Sequence, residues 1–75
     1  MPQPEQHPKT LTTRTNLAAF TGQAGDAAGA RDQFAALAPI SGRVLGPEHP
    51  GTLTTRGNLA SWTAEAEGEN RPGMD

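Results

Sequence analysis

The chain carries an internal repeat, and this feature restricts its possible folds more than any other. The stretch HPKTLTTRTNLAAFTGQA at residues 7–24 recurs as HPGTLTTRGNLASWTAEA at residues 49–66, with 12 of 18 positions identical and no gap. The two copies begin 42 residues apart, the difference between positions 49 and 7. A fixed period between about 20 and 50 residues is typical of stacked repeats, in which each unit hides its apolar face against the next.

Each copy has the apolar periodicity of a helix. When residues 8–24 are placed on a helical wheel, the apolar side chains share one half and polar residues such as Thr12 and Asn16 share the other. The apolar half consists of Leu11, Leu17, Ala18, Phe20 and Ala24. Pro8 suits a first helical turn, because its missing N–H needs no partner there. We therefore expect a helix in each copy.

A second type of helix is predicted between the copies. Gly25 favours a left-handed helix end, and Asp26 is a good N-cap for a helix running from about residue 27 to 45. The apolar stripe of this helix consists of Ala27, Ala30, Phe34, Leu37, Val44 and Leu45, with Ile40 at its edge. Gly46-Pro47 is expected to end the helix, and Pro39 to kink or split it, since proline lacks a backbone donor.

These patterns predict an all-α fold, a helical-hairpin repeat of about one and a half units in which three helices stack in the order A, B, A′. Residues 7–47 are expected to form the first hairpin, and residues 48–66 the A helix of a second, truncated repeat. No apolar stripe extends into residues 1–6 or 67–75, so both ends are expected to be disordered.

Composition narrows the functional classes. Twelve alanines but only ten Leu, Ile, Val and Phe residues imply a small core and marginal stability. The absence of cysteine excludes disulfides and thiolate metal sites, and a single lysine with a net charge of −2 disfavours nucleic-acid binding. No leader-like or membrane-spanning apolar run occurs in the sequence, so a cytoplasmic location without a membrane partner is expected.

The residues also resemble a known family. The segments TLTTRTNLA, GQAGDAAGARDQFAAL and RVLGPEHPGTLTTRGNLA are similar to the long tetratricopeptide-repeat (TPR) variant of kinesin light chains, especially to arrays in bacterial, mainly actinobacterial, multi-domain proteins. The resemblance covers residues 7–66. Leu17-Ala18 matches the Leu-small pair of helix A, and Phe34 matches the aromatic of helix B, whereas Thr21 and Thr63 stand where commoner repeats have an aromatic. The resemblance implies a protein–protein interaction module that binds a peptide or partner helix on the A-helix face.

Five residues are candidates for partner contact. The resemblance implies that A helices line a concave groove, where Asn16 and Asn58 would pair with a peptide backbone and Arg14 and Arg56 would grip a carboxylate. Alternatively, Arg14 only covers apolar surface with its stem, and Asn16 bonds to a neighbouring repeat. Trp62 either fills the groove between B and A′ or belongs to an exposed apolar patch that meets a partner.

No residue set predicts an enzyme, so no catalytic, cofactor or metal site is expected. His7 and His49 occupy equivalent positions of neighbouring repeats, about 10 Å apart, too far to share a metal ion. The glycines near residue 22 lack the Lys-Ser/Thr ending of a phosphate loop. The main alternative to an interaction module is a capping or degenerate remnant of a longer array without autonomous function. Self-association through the uncovered face of A′ is also predicted.

Overall fold

The computed structural model describes residues 8–69, which form three helices. Helix α1 spans Pro8–Gln23, α2 spans Ala27–Leu45 and α3 spans Pro50–Glu69. Helix α2 packs against both other helices, whereas α1 and α3 make few contacts with each other. The all-α class and the A, B, A′ order are therefore confirmed. The predicted disorder at residues 1–6 and 70–75, like His7, lies outside the described residues.

The helix ends follow the predicted local chemistry. Asp26 is the N-cap of α2, and its carboxylate accepts a hydrogen bond of 2.8 Å from the Gly29 N–H. Gly25 and Gly46 have φ values of 106° and 105°, a region that favours glycine. The Gly46 N–H donates to the Gly42 carbonyl at 3.1 Å. Both connections are thus made by the residues that the sequence indicated.

Helix α2 is continuous through Pro39, so the predicted split is wrong. Proline at this position removes the bond that its N–H would have donated to the Ala35 carbonyl. Pro39 and Ala35 are both exposed, and water can hydrate that carbonyl. The solvent-facing position explains why the helix tolerates the proline.

Helix α3 continues to Glu69, three residues beyond the expected end at Ala66. The expected end at Ala66 came from the lack of an apolar stripe in residues 67–75. Position 67 has a glutamate in place of the glycine that ends α1, and alanine and glutamate favour helix. The helix therefore runs on where the first repeat turns.

The core is formed mainly where α2 meets α1. Its buried residues are Leu11, Ala18, Phe34 and Leu37. Half-buried apolar side chains extend this core towards α3: Ala19, Ile40, Val44, Leu45, Leu59 and Trp62. Phe34 is fully buried and is the largest buried side chain of the described residues. The predicted stripe of α2 is confirmed, because it faces both neighbours.

Only part of the predicted apolar half of α1 is buried. Leu11 and Ala18 are buried in the core with residues of α2, but Leu17 is 60% exposed and Phe20 is 67% exposed. Ala24 is also exposed. The reason is that α1 packs mainly against α2, which covers a narrower arc than the apolar pattern offers.

Helix α3 packs on α2 through a face that is rich in threonine. Thr52 and Thr55 are each 2% exposed, and Ala66 is also buried. The Thr52 hydroxyl donates a hydrogen bond of 3.0 Å to the Ser41 carbonyl of α2, in a buried position. This bond ties the start of α3 to the end of α2, and it satisfies a polar group that would otherwise be costly to bury.

Candidate interaction surface

A cleft of about 370 Å³ lies where the first halves of α1 and α3 approach the end of α2. It is lined by Leu11, Thr12, Thr15, Ser41, Leu45, His49, Gly51, Thr54 and Thr55. The apolar floor comes from Leu11 and Leu45, and hydroxyl groups surround it. Both A-type helices therefore contribute residues to one concavity.

Two of the lining threonines use their protons within their own helices. The Thr15 hydroxyl donates to the Leu11 carbonyl at 2.8 Å, and the Thr55 hydroxyl donates to the Gly51 carbonyl at 3.0 Å. A hydroxyl that donates in this way keeps its oxygen lone pairs as acceptors. Thr15 is half-buried and therefore offers an acceptor at the cleft, which suits an N–H group of a bound segment, whereas Thr55 is only 2% exposed.

His49 stands at the rim of the cleft, just before α3. Its Nδ1 accepts a hydrogen bond of 2.9 Å from the Gly51 N–H. A nitrogen that accepts carries no proton, so the neutral ring in this arrangement holds its proton on Nε2. The exposed imidazole can thus donate from Nε2 while the Gly51 bond holds its orientation.

The two predicted asparagines lie at equivalent positions of α1 and α3 but in different surroundings. Asn16 is exposed and lines a shallow depression of about 170 Å³ with Ala19, Phe20 and Gln23, all on α1. Asn58 is half-buried, and its amide nitrogen donates to the Thr54 carbonyl at 3.1 Å. Since Thr54 lines the main cleft, Asn58 lies one helical turn from it. The carbonyl oxygen of each asparagine remains an acceptor.

The two predicted arginines do not line the main cleft. Arg14 is half-buried and lines a separate groove of about 260 Å³ between α1 and α2, with Leu17, Asp32, Gln33, Ala36 and Leu37. Arg56, its repeat equivalent, is exposed on α3. The two arginines therefore lie on different surfaces, with Arg14 in the groove between α1 and α2 and Arg56 on the exposed surface of α3.

Trp62 is half-buried and packs against the core cluster. Its ring lies directly over Gly22 of α1, so close that a Cβ on Gly22 would lie 2.5 Å from the Trp62 Cζ2. Trp62 thus reaches past α2 to the other A-type helix. The sequence interpretations placed Trp62 either in the groove between B and A′ or in an exposed apolar patch, and neither predicted the contact with Gly22 of α1.

Sequence reasoning missed the cleft residues themselves. On the helical wheel Thr12 and Thr15 are polar positions without an assigned role, and the sequence indicates for His49 a role in the linker or at the helix start, not at a binding site. Their signal is the repeated H-P-x-T-L-T-T motif, whose threonines recur at fixed positions in both copies. The spacing alone does not reveal that the two motifs flank one concavity.

Neither a metal centre nor a membrane span emerges from residues 8–69. Within that range, no three His, Cys, Asp or Glu side chains come close enough together to hold a metal ion. None of the three described helices is long and apolar enough to cross a membrane.

Comparison with known families adds one match. A family model described as tetratricopeptide repeat matches residues 5–71, which include α1, α2 and α3 and both copies of the repeated sequence. No curated protein and no solved structure matches the chain. The match extends over most of the 75 residues, so it describes the chain as a whole and not one helix of it.

Proposed function

Because the chain belongs to the tetratricopeptide-repeat family, we propose that it is a protein–protein interaction module that binds a peptide or partner helix along the face formed by α1 and α3. Tetratricopeptide repeats are in general non-catalytic scaffolds for protein–protein contacts, and we propose a non-catalytic role here. The kinesin-light-chain subtype, bacterial origin and cytoplasmic location remain predictions from the sequence.

The observation that carries the proposal is the cleft shared by the two A-type helices. Its apolar floor, Leu11 and Leu45, can receive an apolar side chain, and its half-buried Thr15 hydroxyl can accept from a backbone N–H group. A few placed polar groups around an apolar floor are typical of binding sites. Asn16 and Asn58 extend the same side of the A helices with amide groups that both donate and accept.

The experiment is a peptide selection against the 75-residue chain, followed by affinity measurement on variants. Thr54→Arg places a long charged side chain at an exposed position that lines the cleft. Thr13→Arg is the matched control, since Thr13 is also an exposed helical threonine but does not line the cleft. We expect the selected peptide to bind Thr54→Arg at least roughly tenfold more weakly than the parent and the control. Equal loss in both variants would contradict the proposed site.

The second candidate function is a cap or degenerate remnant of a longer array. The observation that favours it is the open side of α3, where Leu53 is 50% exposed and the structure describes no second B helix among residues 8–69. A remnant would yield no peptide that depends on Thr54 and would unfold in a broad, weak transition. A cooperative urea transition together with cleft-dependent binding supports the interaction module instead.

A further inference from the structure

His49 is fixed in place although its side chain is exposed. Its backbone N–H donates to the Gly46 carbonyl at 3.2 Å, and its carbonyl accepts from the Leu53 N–H at 3.0 Å. Its Nδ1 accepts from the Gly51 N–H at 2.9 Å. The main chain and the imidazole of His49 are therefore both anchored at the start of α3, whereas exposed side chains in general rotate freely.

The imidazole acts as the N-cap of α3. A side-chain acceptor on the residue before a helix satisfies one of the first backbone N–H groups, a role that serine, asparagine and aspartate usually have. His49 precedes Pro50, the first residue of α3, and its Nδ1 caps the second residue, Gly51. Because Nδ1 is the acceptor, the other ring nitrogen, Nε2, has the proton and can donate it. A serine or aspartate cap would lack this N–H.

Gly51 makes room for the imidazole. A Cβ at position 51 would lie 3.2 Å from the His49 Nδ1 and 2.9 Å from the Leu45 Cδ1, and both distances are shorter than ordinary van der Waals contact. The equivalent residue of the first copy is Lys9, which has a Cβ. The glycine that gives the ring its space is therefore present only in the second copy of the motif.

The cleft has a donor on its α3 side and an acceptor on its α1 side. His49 lines it just before α3, and the half-buried Thr15 lines it from α1. The Thr15 hydroxyl donates to the Leu11 carbonyl and keeps its oxygen as an acceptor. Each peptide unit of a bound segment has one N–H and one C=O. Such a segment can therefore pair with Thr15 through an N–H and with His49 through a C=O.

The lining of the cleft favours an uncharged acceptor. It includes no Asp, Glu, Lys or Arg side chain. A carboxylate that entered the cleft would lose water above the apolar floor of Leu11 and Leu45 without meeting a cation, and this desolvation is costly. An amide carbonyl loses much less on leaving water, and one hydrogen bond compensates it.

We infer that His49 is a partner-contact residue, whose Nε2–H donates a hydrogen bond to an uncharged carbonyl oxygen of the segment bound in the cleft. The bond from the Gly51 N–H orients the ring for this contact before the partner arrives, which lowers the entropy that binding costs. The inference rests on the proposed binding role of the cleft. It adds to that role a residue, a donor atom and the kind of group that the atom recognises.

Two variants separate the cap from the donor, with the peptide selected against the parent chain as the probe. His49→Ser keeps an acceptor for the Gly51 N–H, because serine is a good N-cap, but it has no group at the position of Nε2. Nτ-methylhistidine, placed at position 49 by chemical synthesis, keeps the ring and Nδ1 and loses the Nε2–H. We expect both chains to keep the urea midpoint of the parent and to bind the peptide roughly threefold to tenfold more weakly.

The matched control is Glu48→Gln, because Glu48 is the exposed neighbour of His49 and does not line the cleft. This control should bind the peptide as the parent does. Parent-like affinity of the Nτ-methylhistidine chain would overturn the inference, since the ring would then act without its proton. An equal loss of affinity in Glu48→Gln and His49→Ser would also overturn it, because the effect would then belong to the linker.

These measurements fail separately from the test of the cleft. If Thr54→Arg weakens peptide binding and the two His49 variants do not, the cleft binds the peptide as proposed and the inference about His49 is wrong. If Thr54→Arg and Thr13→Arg weaken binding equally, the proposed site is wrong, and the inference about His49 is overturned with it.

Nitrogen-15 NMR of the imidazole tests the same contact without a substitution. In the free chain at pH 8, the structure predicts a proton on Nε2 of His49 and none on Nδ1. In the complex the Nε2–H should exchange with water more slowly, also when every carboxylate of the peptide is replaced by its amide. A proton on Nδ1 in the free chain, unchanged exchange in the complex, or protection that is lost with the carboxylates would overturn the inference.

Discussion

Helices α1 and α3 have nearly the same sequence and bury different faces. Leu11 of α1 is 3% exposed, whereas its equivalent Leu53 in α3 is 50% exposed. The relation is reversed for threonine, because Thr55 of α3 is 2% exposed and its equivalent Thr13 in α1 is exposed. In each helix the buried face is the one that meets α2, which follows α1 and precedes α3.

The comparison shows that each A-type helix encodes two packing faces. One face meets the B helix of its own repeat, and the other meets the B helix of the repeat before it. Helix α1 has only the first neighbour among the described residues and α3 has only the second. The contribution of a residue to stability is therefore set by the neighbour that covers it, and equal residues in the two copies should respond unequally to substitution.

The largest expected difference is at the repeated leucine. Leu11→Ala should lower the free energy of unfolding by about 2 to 5 kcal/mol, because it removes a buried side chain and leaves a cavity. Leu53→Ala should change it by about 0.5 kcal/mol or less, since that side chain is half exposed. Urea titration followed by far-UV circular dichroism measures both. Equal losses at positions 11 and 53 would break the comparison.

A second difference concerns glycine. Gly22→Ala on α1 should destabilise by roughly 1 to 2 kcal/mol, because the new Cβ meets the Trp62 ring and the collision outweighs the better helix propensity. Gly57→Ala on α3 should stabilise by about 0.5 to 1 kcal/mol, since no neighbour lies within 4 Å of its Cβ. Thermal unfolding of both variants gives the signs, and a stabilising Gly22→Ala would be inconsistent with the Trp62 contact.

The smallest expected difference in unfolding free energy is between Thr10 and Thr52, the first threonines of the two H-P-x-T-L-T-T copies. Thr52→Val removes the buried hydrogen bond to the Ser41 carbonyl and should cost about 1 kcal/mol. Thr10→Val, at the equivalent position of α1, should cost less than about 0.5 kcal/mol, since α1 has no preceding B helix among the described residues. Urea titrations of the pair test this, and a larger loss at Thr10 would show that the face of α1 is already covered.

The helix ends were predictable because local chemistry decides them. A glycine with positive φ and a side-chain cap need only the residues beside them, and Gly25, Asp26 and Gly46 act as their types suggest. The end of α3 was mispredicted because residues 67–75 lack an apolar stripe, whereas Glu67, in place of a turn glycine, lets the helix continue to Glu69. The continuity of α2 through Pro39 could not be predicted, because it depends on whether Pro39 and Ala35 lie on the solvent-exposed side of the helix.

The buried faces of the A helices could not be predicted from periodicity. The apolar half of α1 spans both packing faces, and a wheel shows that Leu11, Leu17 and Phe20 share a side without showing which neighbour exists. The cleft was missed for a related reason, because it combines residues from three helices. The Gly22–Trp62 contact had no sequence signal, because the second copy has Ala64 at the position equivalent to Gly22.

Nuclear Overhauser effects between the Trp62 indole protons and the Gly22 Hα protons test the central claim most directly. Trp62 is the equivalent of Phe20, which is exposed on α1. Trp62 can contact Gly22 only if α3 buries, against α2 and α1, the face that is exposed in α1. The structure predicts strong cross-peaks and Gly22 Hα resonances shifted upfield by the ring. An indole with solvent-like chemical shifts and no cross-peak to Gly22 would contradict the packing of the two copies.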